Sequence, residues 1–196
     1  MSRRDARLPR TEILIMRSVM DNRFEINANL YEYRDIEYFE ETILKVRAKF
    51  QELFGEEVLD RIPLYVDNST KGGGYTPITD VVLHSYVSIK LGISDFRDEE
   101  WIAYQFAHEM CHFTYRCLIG IDKKNAEEYE ESICSAMSLC ILSGCRDFRG
   151  WCKHVKKLKN ESYRKGYDIA LECDFNPTKL RDKILAELDE YRKIAL

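Results

Sequence analysis

Trp101-Ile-Ala-Tyr-Gln-Phe-Ala-His108-Glu109-Met-Cys-His112-Phe-Thr-Tyr115 is the stretch on which the reading of this chain turns. It contains His-Glu-x-x-His. In a helix, residues four apart stand one turn above each other on a single face, so His108 and His112 aim two imidazoles at one point. Two imidazoles at that spacing bind one zinc ion, and Glu109 is then placed to act as general base toward a water on the metal. Such an ion lowers the pKa of its water from about 15.7 to about 7, which makes hydroxide available near neutral pH.

The surroundings agree with a buried helix. Asp95 or Asp98 can cap its start, and Glu99 and Glu100 suit its first turn. Trp101, Ile102, Phe106 and Ala107 are apolar, as a helix must be if it is to keep water and competing ligands from a metal. The chain has only four His, and two fall in this pattern. The plainer alternative is two partly buried histidines satisfied by their neighbours. A second helical segment follows, Asn125-Ala-Glu-Glu-Tyr-Glu-Glu131-Ser-Ile-Cys-Ser-Ala-Met-Ser-Leu-Cys-Ile-Leu142. Asn125 suits an N-cap with Glu128 in capping-box position, so Glu127 and Glu128 are explained by helix-start chemistry. Glu130 and Glu131 lie deeper, where the helix becomes small and apolar.

These two stretches together resemble the zincin metallopeptidases. Ile119, Gly120, Ile121 and Asp122 follow the motif where a metzincin has His-x-x-Gly-x-x-His, so that branch does not fit. Glu131-Ser-Ile-Cys-Ser135 is similar to the gluzincin stretch Glu-Ala-Ile-Ser-Asp, whose Glu is the third zinc ligand. The resemblance implies Glu131 as third ligand, ahead of Glu130 and then Glu128. Ser135 stands where that family has Asp, which leaves open the partner of the zinc histidine. The likeness covers the order of elements over residues 62–142, and two short motifs carry it. It implies a zinc-dependent hydrolase of peptide bonds acting on a peptide or protein substrate. Glu109 would be the base, with a downstream group steadying charge on the carbonyl oxygen. Tyr163, Tyr167 and His154 are the candidates for that group.

The rest of the chain fits one domain over residues 1–196. Ile36, Phe39, Ile43, Val46, Phe50 and Leu53 recur at helical spacing and Gly55 ends the run. Ile62–Val66 reads as a strand. Asp67–Gly74 reads as a loop whose glycines lack the signature of a phosphate cradle. Val81–Leu91 alternates as one strand, with Val81, Leu83, Val87, Ile89 and Leu91 on the buried side and His84, Tyr86, Ser88 and Lys90 on the polar one. By the resemblance, this strand before the motif helix borders the cleft and pairs with an extended peptide. Trp151–Cys173 reads as a helix, and Asn176-Pro177 as a break before a last helix with Leu180, Ile184, Leu188 and Tyr191 on one side. The expected fold is therefore α+β and zincin-like: a small twisted sheet of about three to five strands on the metal-bearing helices, with a helical C-terminal part.

A formal charge of −4 gives no electrostatic case for nucleic acid or an anionic membrane surface. Met1–Arg10 is basic, and Ile13–Met20 is interrupted by Arg17 and followed by Asp21 and Arg23, so neither reads as a signal peptide or a span. Seven cysteines without a Cys-x-x-Cys pair read as small buried thiols in a reducing, cytoplasmic setting. A rival function is a zinc-holding regulatory or interaction protein with no turnover. Glu109 weighs against it, because a site that only holds metal needs no base and usually has four protein ligands.

Overall fold

The computed structural model describes residues 23–69, 77–123 and 126–194. The readings of Met1–Arg10, Ile13–Met20, the glycine-rich loop after Lys71 and the Asn125 cap lie outside these residues. Among the described residues the chain is mixed α/β, with seven α-helices and one sheet of four strands in the order β1-β2-β4-β3. Strand β1 (Phe24–Ile26) lies parallel to β2 (Leu64–Asn68), which lies parallel to β4 (Tyr86–Leu91). Strand β3 (Ile78–Val82) is the antiparallel edge, with Thr79 opposite Ile89.

Alternation sets the inner face of the sheet: Leu64, Val66, Val87, Ile89 and Leu91 are buried. Helix α1 (Ile36–Phe54) contributes Phe39, Ile43, Val46, Phe50 and Leu53 to the same core. It ends at Gly55, whose φ of 90° only glycine adopts freely. The short α2 (Glu56–Leu59) leads into β2.

The segment Val81–Leu91 is not one strand. It folds back at Leu83–Ser85, and β3 and β4 are the two arms of a hairpin. Leu83 and His84 both have φ near +50° (51° and 53°), and Ser85 donates its N–H to the Val82 carbonyl at 3.0 Å. Two central residues at positive φ are the geometry of a type I′ turn, which matches the twist of the arms. Asn or Gly usually fill such positions, and their absence hides the turn in the sequence. His84 therefore sits at the exposed turn, with Nδ1 2.7 Å from Asp122 Oδ1.

Between β4 and the next helix the chain is fixed by buried Asn68. Its Oδ1 accepts from Ile93 N at 2.8 Å and its Nδ2 donates to Ile93 O at 3.0 Å. Helix α3 (Glu99–Ile119) then starts at Asp98, whose carboxylate accepts from Trp101 N. From Ile102 to Tyr115 every residue of α3 is buried, as befits a helix with α1 and the sheet on one side and α4 (Glu128–Ile141) on another.

Trp151–Cys173 is two helices, α5 (Phe148–Lys156) and α6 (Glu161–Glu172), with Asn160 capping the second by accepting from Ser162 N. Helix α7 (Pro177–Ile194) begins at the expected proline. Helix α6 lies unusually close to α4. A Cβ added to Gly166 would stand 2.6 Å from Ser135 Cβ and 2.8 Å from the Ser132 carbonyl oxygen. All seven cysteines are free thiols, five of them buried. No helix among the described residues is long and apolar enough to cross a membrane.

Candidate metal centre

Helices α3 and α4 build the centre between them. One turn of α3 separates His108 from His112, and their Nε2 atoms lie 3.3 Å apart. Glu131 reaches both from α4, with Oε2 3.2 Å from His108 Nε2 and Oε1 3.4 Å from His112 Nε2. Ligand bonds of roughly 2.0–2.1 Å put the corners of a tetrahedron roughly 3.3–3.4 Å apart. The 3.3 Å between the two Nε2 atoms matches one edge of such a set. Glu131 turns a separate oxygen to each nitrogen, and one ligand atom from each of the three residues lies within 4.8 Å of the others, so His108, His112 and Glu131 could hold one metal ion. His108 is 8%, Glu109 5% and His112 8% exposed, while the Glu131 side chain is 28% exposed and gives the centre its opening.

The neighbouring glutamate has another place. Glu130 Oε1 meets the other nitrogen of the same ring, His112 Nδ1, at 2.8 Å, and its Oε2 is ion-paired with Lys123. Consecutive helix positions differ by about 100°, and here that turn puts one carboxylate on each side of the His112 imidazole. The contact is of the kind by which carboxylates orient histidines that hold a metal. Ser135, in the position where the resemblance has Asp, instead donates to the Tyr163 carbonyl at 3.2 Å. Cys134 Sγ lies 3.4 Å from His112 Nδ1, so His112, Glu130 and Cys134 form a second, wholly buried cluster on that side. Glu128 is outside the centre, at the exposed start of α4 near Lys165. The N-cap of α4 is Glu127, without a side-chain cap bond, two residues later than an Asn125 cap predicts.

Charge follows the geometry. Burial opposes a proton on His112, but the carboxylates of Glu130 and Glu131 outweigh it and raise its pKa from 6.5 to about 10 in the metal-free chain. Burial likewise opposes charge on Glu131, and the two imidazoles overcome it, holding the carboxyl well below its usual range. Glu130 is lowered too, by His112 and Lys123 against its burial. A site that stabilises two carboxylates and a proton is one where a cation can replace that proton.

Glu109 points toward the sheet side, where Thr79 Oγ1 of β3 donates to its Oε2 at 2.6 Å. Of the downstream candidates, only Tyr163 joins the centre: its ring meets His108 edge-on, with centroids 5.4 Å apart. Burial, then the charges of Glu131 and Glu109, push its phenol up to about 12. Tyr167 lies under Lys156 Nζ and against Phe175, and His154 stands edge-on to Trp101, Tyr104 and Trp151.

Sequence reasoning missed Thr79, Lys123 and the contact of Glu130 with His112. Gly166, isolated inside a helical pattern, was a readable sign of close packing. Comparison with protein-family models, with curated proteins and with solved structures finds no match to this chain.

Proposed function

We propose that the chain is a zinc-dependent hydrolase of peptide bonds, built like the gluzincins. The observation that carries the reading is the His108–His112–Glu131 triangle with Glu109 beside it but outside it. Three protein ligands and a separate carboxylate are the composition of a catalytic centre, whereas a holding site closes with four ligands. When bound, zinc supplies a Lewis acid for the scissile carbonyl and acidity for the attacking water.

The chain's own groups do the rest. Glu109 takes a proton from the attacking water and delivers it to the leaving nitrogen. Tyr163, whose phenol keeps its proton up to about pH 12, donates a hydrogen bond to the carbonyl oxygen as charge builds on it. Glu130 and Lys123 hold His112 in orientation. The exposed arm nearest Glu109 is β3, the sheet's edge, and not the strand that immediately precedes the motif helix. An extended substrate adding to β3 would run past Glu109.

The test pairs metal analysis with Glu109→Gln. Wild type purified without added metal should carry about one zinc per chain and cleave members of an unstructured peptide library, read by mass spectrometry. Glu109→Gln should retain the zinc and lose about 10²–10⁴-fold in turnover. Zinc-loaded wild type that cleaves nothing across a broad library points instead to the regulatory, non-hydrolytic protein. Equal cleavage by both proteins removes Glu109 as base.

A further inference from the structure

We infer that Thr79 is the positioning residue that keeps Glu109 a base and prevents it from becoming a ligand. The inference rests on the hydrolase reading above and adds a residue that no motif carries. Thr79 Oγ1 is 2.6 Å from Glu109 Oε2 and 3.3 Å from the Glu109 backbone oxygen. A hydroxyl has one proton, and the shorter contact to the charged oxygen takes it. The bond ties the edge strand to the motif helix across 30 residues of sequence.

Glu109 needs such a tether. Its side chain is long, is 5% exposed, and sits beside the same centre that His108, His112 and Glu131 surround. A free carboxylate there is drawn to the cation and supplies a fourth ligand, which is the closed set of a site that only holds metal. Thr79 fixes one oxygen on the sheet side. Among the described residues no hydrogen bond reaches Oε1, and Oε1 is the atom left to receive a proton. Thr79 suits the task because a β-branched residue is at home in a strand and because its place opposite Ile89 is set by the hairpin register. The same edge strand that would pair with substrate thus also sets the base.

The experiment compares Thr79→Val, which keeps shape and removes the donor, with Thr79→Ser, which restores the hydroxyl. In Val, kcat should fall about 10–100-fold with KM within about twofold of wild type, and zinc content should stay at wild-type level. Ser should recover most of kcat. Crystal structures of both variants, metal-free and zinc-loaded, give a readout that does not depend on turnover. The Glu109 carboxylate should leave its position in Val, turning onto the metal in the loaded form, and keep it in Ser. An unmoved carboxylate in Val, a wild-type kcat in Val, or a Ser variant as impaired as Val each overturns the inference. If wild type cleaves nothing, the hydrolase reading fails separately, and the carboxylate's position in the variants still decides the role of Thr79.

Discussion

Replacing Gly166 with Ala tests how the centre is assembled, because it acts on the packing of α6 against α4 and touches no candidate ligand. The added Cβ would stand 2.6 Å from Ser135 Cβ, 2.8 Å from Ser135 Oγ and 2.8 Å from the Ser132 carbonyl oxygen. Carbon atoms in ordinary contact lie about 3.5–4.0 Å apart, so the helices must separate by about 1 Å. Rotating a side chain gives little relief, since one obstacle is backbone and another is a Cβ. Overpacking of this kind costs about 1–3 kcal/mol, and the better helix propensity of Ala returns about 0.5–1 kcal/mol. The net is a loss of up to about 2.5 kcal/mol, which lowers Tm by up to roughly 10 °C for a chain of this size. Tyr163 lies one turn from Gly166 on the same helix and moves with it. A displacement near 1 Å at a reacting group costs up to about 10²-fold in rate. The candidate ligands on α3 and α4 stay, so zinc content should not change. Calorimetry, metal analysis and peptide cleavage on the same preparation read all three. A Tm raised above wild type would refute the close approach of the helices. A lowered Tm with unchanged turnover would refute the part given to Tyr163.

Other outcomes follow from the same geometry. Glu131→Ala should strip the metal under mild chelation, Glu130→Ala should weaken binding about 10–100-fold, and Glu128→Ala should leave it unchanged; chelator competition separates the three, and metal loss from Glu128→Ala would reverse the assignment. His112 holds a proton up to about pH 10 in the metal-free chain. Its contribution to stability is therefore complete below the unfolded pKa of 6.5 and is lost as pH rises through about 10. Zinc must displace that proton, so apparent affinity should rise about tenfold per pH unit between about pH 7 and 9; titration calorimetry in two buffers measures the released proton, and a flat affinity would exclude it. At the hairpin, Leu83→Asn with His84→Gly should relieve two left-handed residues and raise stability by about 1–2 kcal/mol, read as a higher Tm; a fall in Tm would mean the His84–Asp122 contact outweighs the strain.

Periodicity exposed the elements that bury a face. The apolar spacing of α1 with Gly55 beyond it, the inward Val87, Ile89 and Leu91, and the Asp98 cap of α3 are all local signals, and the structure follows them. What escaped depends on how elements sit against one another. Leu83 and His84 turn because the arms on either side pair, against their own preference. Glu130 and Glu131 look alike in a helix, and only the rotation of α4 relative to His112 gives them different tasks. Tyr163 and Tyr167 differ by one turn, and only the placement of α6 against α3 and α4 brings the first of them to His108. Three residues of β1 are too few to carry a pattern, and Thr79 acquires meaning only when β3 reaches α3.

The enclosure of α3 has a kinetic side. A helix buried along most of its length exchanges its amide hydrogens only when the whole domain opens, while an edge strand with a single neighbour opens in smaller and more frequent excursions. Burial of His108 and His112 and the edge position of Thr79 predict the slow class for the first two and the fast class for the third. Peeling β3 from β4 would release Glu109 while leaving the metal cradle assembled. Mild heat or low denaturant should then silence turnover well before any metal escapes, and slow deuterium uptake in α3 beside fast uptake in β3 would mark the two thresholds.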